Sequence, residues 1–263
     1  MIYIRGHARD YDRWRQMGLR GWGYADVLPY FMRSESLQGG GDAYHGGEGP
    51  LSVSQASSRN PIYSSLIAIG GHAGHRLMPD FNGDQQEGFG SYQMTIKDGR
   101  RWSAATAYLH PAMAHPNLTA EIGARTTRIL IERGRVGLHS ADPFADQKGL
   151  TAIRPGEVEP DAAVATDADV WIRRSAETIY HLAGTCRMGL PDDTTSVVDD
   201  QLRVIGLAGL RVIDASVTPT LVGGNANAPR IMIAEKAADM ILGRSAPPPR
   251  AVNVFGDRDA RVA

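Results

Sequence analysis

The spacing of apolar positions predicts short helices separated by short strands. Tyr24 to Glu35 carries Tyr24, Val27, Leu28 and Phe31 at helical intervals. Pro29 inside that stretch fits only near a first turn, since proline has no N–H to give and crowds the turn before it. Asn60–Pro61 opens a second helix, with Asn as cap and Pro in the first turn. Ile62, Leu66 and Ile69 then supply its inner face, and Gly70–Gly71 weakens its end. A third helix runs from Ile231 to Leu242 with Ile231, Ala234, Ala238 and Ile241 inward. Weaker helical patterns cover Ser103 to Met113 and a stretch capped by Thr166 or Asp167 through Ala176. Strand patterns occur at Leu51 to Ser54, Gly90 to Lys97, Leu118 to Ile122, Thr127 to Glu132, Arg135 to Leu138 and Arg211 to Asp214. Arg133–Gly134 can close two of these as a hairpin. Met1 to Trp14 packs polar and apolar residues together with no convincing cap, and Asp142 to Asp161 reads as loop.

Composition narrows the class. Hydrophobic residues make up 42% and charged residues 22% of 263 residues, ordinary for a globular chain of one or two domains. A formal net charge of −1 gives no electrostatic case for nucleic acid or an anionic membrane, and no apolar run approaches the ~20 residues that span a bilayer. The first residues lack the pattern of a secretory leader. Cys186, the single cysteine, excludes an intrachain disulfide and a cysteine-rich zinc site, and fits the reducing cytoplasm. His72 and His75 lie three apart with no third ligand in view, so no metal is expected. Arg100–Arg101 reads as a solvated turn. Beyond Gly243, Pro247 to Pro249 and the charged residues after them can bury little, which predicts a disordered tail over 244–263.

Candidate chemistry gathers late in the chain. His181 sits in Tyr180-His181-Leu182-Ala183-Gly184-Thr185-Cys186-Arg187-Met188-Gly189, and Asn225 in Gly223-Gly224-Asn225-Ala226-Asn227-Ala228-Pro229. Between them lies Leu210 to Ser216, followed by Val217-Thr218-Pro219-Thr220. Histidine titrates near neutrality and suits a base. A redox role would also need a hydride acceptor, which no side chain supplies, so the residues permit such a role without establishing one. On the residues alone His181 can equally be structural, Asp214 a turn cap and Asn227 a helix cap.

These segments, in this order, resemble the C-terminal part of the glucose–methanol–choline (GMC) flavoprotein oxidoreductases. Met1-Ile2-Tyr3-Ile4-Arg5-Gly6-His7-Ala8-Arg9-Asp10-Tyr11-Asp12-Arg13-Trp14 resembles the end of that family's first signature, and Trp22 to Glu35, Gly99 to Leu109 and Ser140 to Pro143 are similar to further family segments. The resemblance covers Met1 to Gly243 in pieces. No G-x-G-x-x-G occurs, and the family's Gly-Ala-x-x-Ser-Pro segment is missing after Glu132, as is a stretch near Gln147–Lys148.

What the resemblance implies is an FAD-dependent oxidation of an alcohol, choline-like or another primary alcohol, to the aldehyde. His181 is then the base, and Asn225 hydrogen-bonds the same oxygen. Met1, Asp214, Ala215, Asn225, Asn227 and Pro229 face FAD. The alternative is an inactive, truncated and internally deleted remnant that holds no FAD and acts at most by association with another polypeptide. The implied fold is α+β, a mainly antiparallel substrate domain with flanking helices plus residual pieces of an FAD-binding α/β domain that lacks its first βαβ unit. Its parts are 1–35 from the FAD domain, 36–178 partial substrate domain, 179–243 catalytic and flavin-facing, and 244–263 tail. Expected partners are a small-molecule alcohol and, through exposed apolar positions such as Ile213, Val217, Ile231 and Ile233, a second copy of the chain. Nucleic acid and membrane are not among them.

Overall fold

The structure, a computed structural model, describes residues 1–56, 60–132, 135–141, 173 and 180–254. It divides into two units, one of residues 1–120, 131–136 and 182–263, the other of 121–130 and 137–181. The predicted helix from Thr166 or Asp167 to Ala176 and the loop from Asp142 to Asp161 lie outside the described residues, Arg173 apart.

The first unit is organised around its opening segment. Strand β1 (Ile2–Tyr3) leads into helix α1 (Ala8–Gln16). The sequence offered no convincing cap here, yet one exists. The His7 ring accepts the Arg9 N–H at 3.1 Å, and Asp10 Oδ2 accepts the His7 N–H at 2.9 Å. Tyr11 and Trp14 on the inner face are fully buried and meet edge to face, centroids 5.0 Å apart. Helix α2 (Tyr24–Ser34) buries Tyr24, Val27, Leu28 and Phe31, the predicted stripe.

Pro29 stands inside α2, not in its first turn. It leaves the Ala25 carbonyl, four residues back, without a helical donor. The backbone N–H of Arg250 fills that place at 2.8 Å. The Arg250 guanidinium also donates to the Ala43 and Asp42 carbonyls at 2.9 and 3.4 Å, Tyr44 Oη donates to the Asn253 carbonyl, and Val252 and Val254 pack on the core. The expectation of a disordered tail is therefore corrected as far as Val254. Its composition supplies few apolar contacts, but its backbone and one guanidinium donate to the carbonyls of Ala25, Ala43 and Asp42.

The sheets are mixed, which corrects the mainly antiparallel expectation. β2 (Glu35–Leu37) runs parallel to β3 (Leu51–Gln55), while β6 (Gln93–Met94) is antiparallel to both β3 and β1, giving the order β1-β6-β3-β2. The glycine-rich connection between β2 and β3 makes the parallel pair possible. A Cβ on Gly46 would lie 1.8 Å from the Met32 carbonyl oxygen, so only glycine lets the chain press back over α2. A second parallel pair joins β4 (Leu77–Met78) and β5 (Phe89–Gly90). β7 (Ile96–Lys97) and β8 (Arg100–Arg101) form a hairpin across Asp98–Gly99, both with positive φ, the Asp-Gly turn chemistry that the doubled arginine obscured.

Other local expectations shift. Gly90 to Lys97 breaks into pieces of β5, β6 and β7. Ser103 to Met113 is a wide helical turn at Ala105–Leu109 followed by α4 (His110–Ala112). Leu118 to Ile122 forms no strand, and Arg211 to Asp214 makes only a single bridge, Arg211 to Arg203. Helix α3 (Pro61–His72) has the predicted Asn60 cap, its side chain accepting the Ile62 N–H at 3.0 Å. The expected inner face is not buried, and Gly70 alone in this helix is. Gly70 and Gly71 let the end of the helix lie against Phe89 and Leu77, while Ile62, Leu66 and Ile69 are exposed.

Helix α5 (Asn227–Leu242) packs on α2. Ile231 is buried as predicted, but Ala234, Ala238 and Ile241 are exposed, and Met232, Ile233, Lys236 and Ala237 form the inner face. Polar residues set that phase. Lys236 Nζ lies 4.8 and 5.3 Å from the Tyr30 and Trp22 ring centroids, and Arg33 donates to Glu235 and Asp239 at 2.8 Å each. Val217, Ile231 and Ile233 are buried and Ile213 half-buried, so the expectation that these four stand without partners is corrected. β9 (Arg125–Glu132) pairs with β10 (Arg135–Ala141), as the sequence predicts.

Candidate active site

Two loops of the first unit carry the motif residues other than His181, and each is fixed by backbone hydrogen bonds. The segment after His181 runs beside a 3₁₀ turn at Ala215–Val217. Gly184, Cys186 and Met188 donate their N–H groups to the carbonyls of Ala215, Ser216 and Val217 at 3.3, 2.9 and 2.8 Å. Asp214 caps that turn, its Oδ1 accepting the Ser216 N–H at 2.8 Å. Tyr180, just before His181, has φ 61°, a left-handed conformation unusual for a bulky residue.

The second loop, residues 222–225, is pressed onto the opening segment. Asp10 Oδ2, already the cap partner of His7, accepts the Gly223 N–H at 2.8 Å. A Cβ on Gly224 would lie 2.7 Å from Ile4 Cγ2, and one on Gly6 (φ 84°) would lie 2.8 Å from Val222 Cβ. Only glycine permits this approach. Trp14 Nε1 donates to Thr220 Oγ1 at 2.9 Å, and Trp22 Nε1 to the Asp200 carbonyl at 2.9 Å. The loop delivers Asn225 to the start of α5, whose cap residue Ala226 gives no side-chain hydrogen bond.

The proposed site residues therefore divide. Asp214, Ala215, Asn225, Asn227 and Pro229 belong to the first unit, with Ala215 and Pro229 buried, Asn225 half-buried, and Asp214 and Asn227 exposed. Met1 also belongs there, and its carbonyl accepts the Thr95 N–H at 2.9 Å, while its side chain is half exposed. His181, half-buried, ends the second unit. Two contacts escaped sequence reasoning. Asp10 joins the two ends of the chain, and the His7-x-x-Asp10 spacing of a capping box was its available signal. Arg230, in the first turn of α5, reaches the Leu182 carbonyl at 3.4 Å through Nη2.

Beneath this lies a buried polar network. Arg5 and Glu35 pair where each side chain is about 1% exposed or less. His45 Nδ1 lies 3.0 Å from Glu35 Oε1, and its Nε2 lies 2.8 Å from Asp80 Oδ2. Burial alone would lower the His45 pKa, but hydrogen bonds to Asp80 and Glu35 outweigh it and raise it to about 9. The same hydrogen bond helps hold Asp80 below the usual carboxylate range against its own burial. Asn82 completes the network, accepting the Arg5 N–H at 2.8 Å and donating to Gln93 Oε1 at 2.7 Å. This network anchors the segment that carries Asp10.

The residues fit the flavin end of FAD. The first turn of α5 exposes N–H groups that no side chain caps, which favours negative charge there. The buried Arg230 Nε also has no hydrogen-bond partner among the described residues. The adenosine diphosphate end has no corresponding G-x-G-x-x-G in the sequence. Among the described residues, no group of three or more His, Cys, Asp or Glu could hold a metal, and no helix is long and apolar enough to cross a membrane.

Comparison with known proteins shows the family. Residues 1–151 match the N-terminal part and residues 107–234 the C-terminal part of the GMC oxidoreductase family. The mitochondrial choline dehydrogenase of Homo sapiens is 27% identical over 440 residues, covering 94% of this chain and 74% of that protein. The oxygen-dependent choline dehydrogenase of Brucella ovis is 28% identical over 438 residues, covering 93% and 80%. The crystal structure of pyridoxine 4-oxidase from Mesorbium loti superposes with a TM-score of 0.76 at 21% identity, covering 93% of this chain and 82% of that one. The aligned stretches exceed the 263 residues of this chain, so the relatives carry interior segments with no counterpart here. The chain belongs to the GMC oxidoreductase family, a family of FAD-dependent oxidoreductases.

Proposed function

We propose that this chain takes part in the oxidation of a small primary alcohol, choline or a related compound, to its aldehyde. FAD, when bound, accepts the hydride. His181 takes the hydroxyl proton as the carbon–hydrogen bond breaks and the carbonyl forms; such a base is worth ~10²–10⁴-fold in rate. Asn225 cannot titrate, so its amide holds and orients the same oxygen. Asp214, Ala215, Asn227 and Pro229 line the flavin, with Asn227 and Pro229 setting the start of α5 beside it, and Met1 adds a contact from the opening segment. The substrate follows from the relatives, which are choline dehydrogenases.

The observation that carries this reading is the double anchoring of the motif loops. Residues 184–188 are laddered onto 215–217, and residues 222–224 are tied to Gly6 and Asp10. A remnant under no demand for geometry has no need of glycines pressed against Ile4 and Val222. The test is anaerobic bleaching of the flavin absorbance by choline and by other primary alcohols, after incubation of the purified chain with FAD. Alcohol-dependent bleaching that is lost in His181→Ala is the expected result. Bleaching by no alcohol, with flavin bound, would overturn the reading.

A further inference from the structure

Arg230 stands in the first turn of α5 with its charge unanswered. Its Nη2 reaches the Leu182 carbonyl at 3.4 Å, long for such a bond, and its buried Nε has no hydrogen-bond partner among the described residues. Other guanidinium groups of the unit show the contrast. Arg5 pairs with Glu35, and Arg33 with Glu235 and Asp239. Arg187 also leaves its Nε bare, but its Nη2 lies 2.9 Å from Asp193 Oδ2, so its charge is balanced. Among the described residues, Arg230 has no such carboxylate.

Its place on the helix is also the wrong one for stability. The positive end of the helix dipole repels a cation in the first turn, where an acid is the ordinary choice, and α5 has no acid there. The cap residue Ala226 leaves the first N–H groups without a side-chain acceptor. The orphaned guanidinium N–H, the dipole and the uncapped N–H groups thus add positive potential at one place, beside the Leu182 carbonyl. A buried charged N–H without an acceptor is costly, and an anion that accepts from it removes the cost.

We propose that Arg230 is a cofactor-binding residue that favours the reduced ring of the flavin, an anion, over the oxidised ring, which is neutral. The inference rests on the proposed reading for the place of the flavin beside the start of α5. The two-electron-reduced ring loses its N1 proton near neutrality and then carries a full negative charge, so a fixed cation separates the two forms. The diphosphate of FAD is an anion in both oxidation states, and a guanidinium that met it would favour neither.

The test compares oxidised with dithionite-reduced FAD in anaerobic equilibrium dialysis against the full chain, above the pH of the N1 ionisation and with no alcohol present. The parent is expected to bind the reduced form more tightly, and to lose that preference as the pH falls and N1 takes its proton. Arg230→Gln is expected to lower the ratio of the two dissociation constants by about tenfold or more, with unchanged circular dichroism. Arg230→Lys, which keeps the charge, is expected to retain most of the preference, and Arg244→Gln, past the far end of α5, to leave it unchanged. Riboflavin, which has no diphosphate, is expected to show the same dependence on Arg230.

A parent with no preference overturns the proposal without any variant. So does a chain that binds neither form, or an equal loss for both forms in Arg230→Gln, which would mark a diphosphate contact or a mere tether of Leu182. An Arg230→Lys chain no better than the glutamine variant also overturns it. Because no alcohol is present, the outcomes separate from those of the proposed reaction. An Arg230-dependent preference in a chain that no alcohol reduces removes the reaction alone. Alcohol-dependent bleaching with an indifferent Arg230→Gln removes this proposal alone.

Discussion

The backbone N–H of Arg250 donates at 2.8 Å to the carbonyl of Ala25, the one carbonyl in α2 that Pro29 deprives of its helical donor. A helix interrupted by proline and a tail that looks too polar to fold thus complete each other. The Arg250 amide should exchange slowly with solvent. Pro29→Ala restores a competing N–H to Ala25, and hydrogen exchange of the segment around Arg250 is expected to quicken by about tenfold, the equivalent of roughly 1.4 kcal/mol. Unchanged protection in Pro29→Ala would mean that the guanidinium contacts and Val252 hold the tail by themselves.

Asp10 serves two backbone donors, His7 and Gly223. Asp10→Ala should cost about 1–3 kcal/mol in urea unfolding, through loss of the cap and of the long-range tie. Asp10→Asn keeps an acceptor oxygen and should cost less. Equal losses in the two variants would show that charge, not hydrogen bonding, is what Asp10 contributes.

His45 titrates at about 9 in the folded chain and near 6.5 when unfolded, so the folded state holds its proton more tightly. The stabilisation is fully present below pH ~6.5 and is lost as pH rises through ~9. Unfolding free energy should therefore fall by about 1–3 kcal/mol across that interval. His45→Gln should flatten the slope while lowering stability at neutral pH. A parent chain equally stable at both ends of the interval would contradict the charged state assigned to His45.

If His181 is the base, His181→Ala should slow alcohol-dependent flavin reduction by ~10²–10⁴-fold with flavin content unchanged. Asn225→Ala should be the milder lesion, since it removes one orienting hydrogen bond and leaves the base. Stopped-flow absorbance separates them, and a His181→Ala enzyme of near-normal rate would move the proton elsewhere.

FAD itself should be held weakly. The sequence offers groups for the flavin end but no glycine fingerprint for the pyrophosphate. Gel filtration is expected to strip the cofactor, and a stoichiometric yellow protein after that step would contradict this expectation.

The legible parts of the sequence were those in which one local rule decides the outcome. The stripe of α2, the Asn60–Pro61 cap and the pairing of β9 with β10 each follow from spacing or from cap and strand chemistry. Where tertiary contact decides, local reading failed. Ile62, Leu66 and Ile69 look like an inner face by period alone, but α3 makes its close contacts at its glycine end, Gly70 under Phe89 and Gly71 beside Leu77, and leaves those three side chains exposed. Lys236 reads as a solvent residue, yet two aromatic rings take its ammonium and rotate α5 with it. Of the site, the motif segments were visible as a resemblance. Asp10 was not, because its partner Gly223 lies 213 residues away and gives no local signal.

The ties from Asp10 to Gly223, Trp14 to Thr220, Trp22 to Asp200 and Arg33 to Asp239 have a consequence for biosynthesis. The stretch from Asp10 to Arg33 has its lasting partners some 200 residues later in the order of synthesis. At ~5–20 residues per second the wait is on the order of 10–40 s. During that time Tyr11, Trp14 and Trp22, all destined for complete burial, are exposed on the nascent chain. Yield in the cell should then depend on how quickly a holdase covers those aromatic side chains more than on the final stability of the fold.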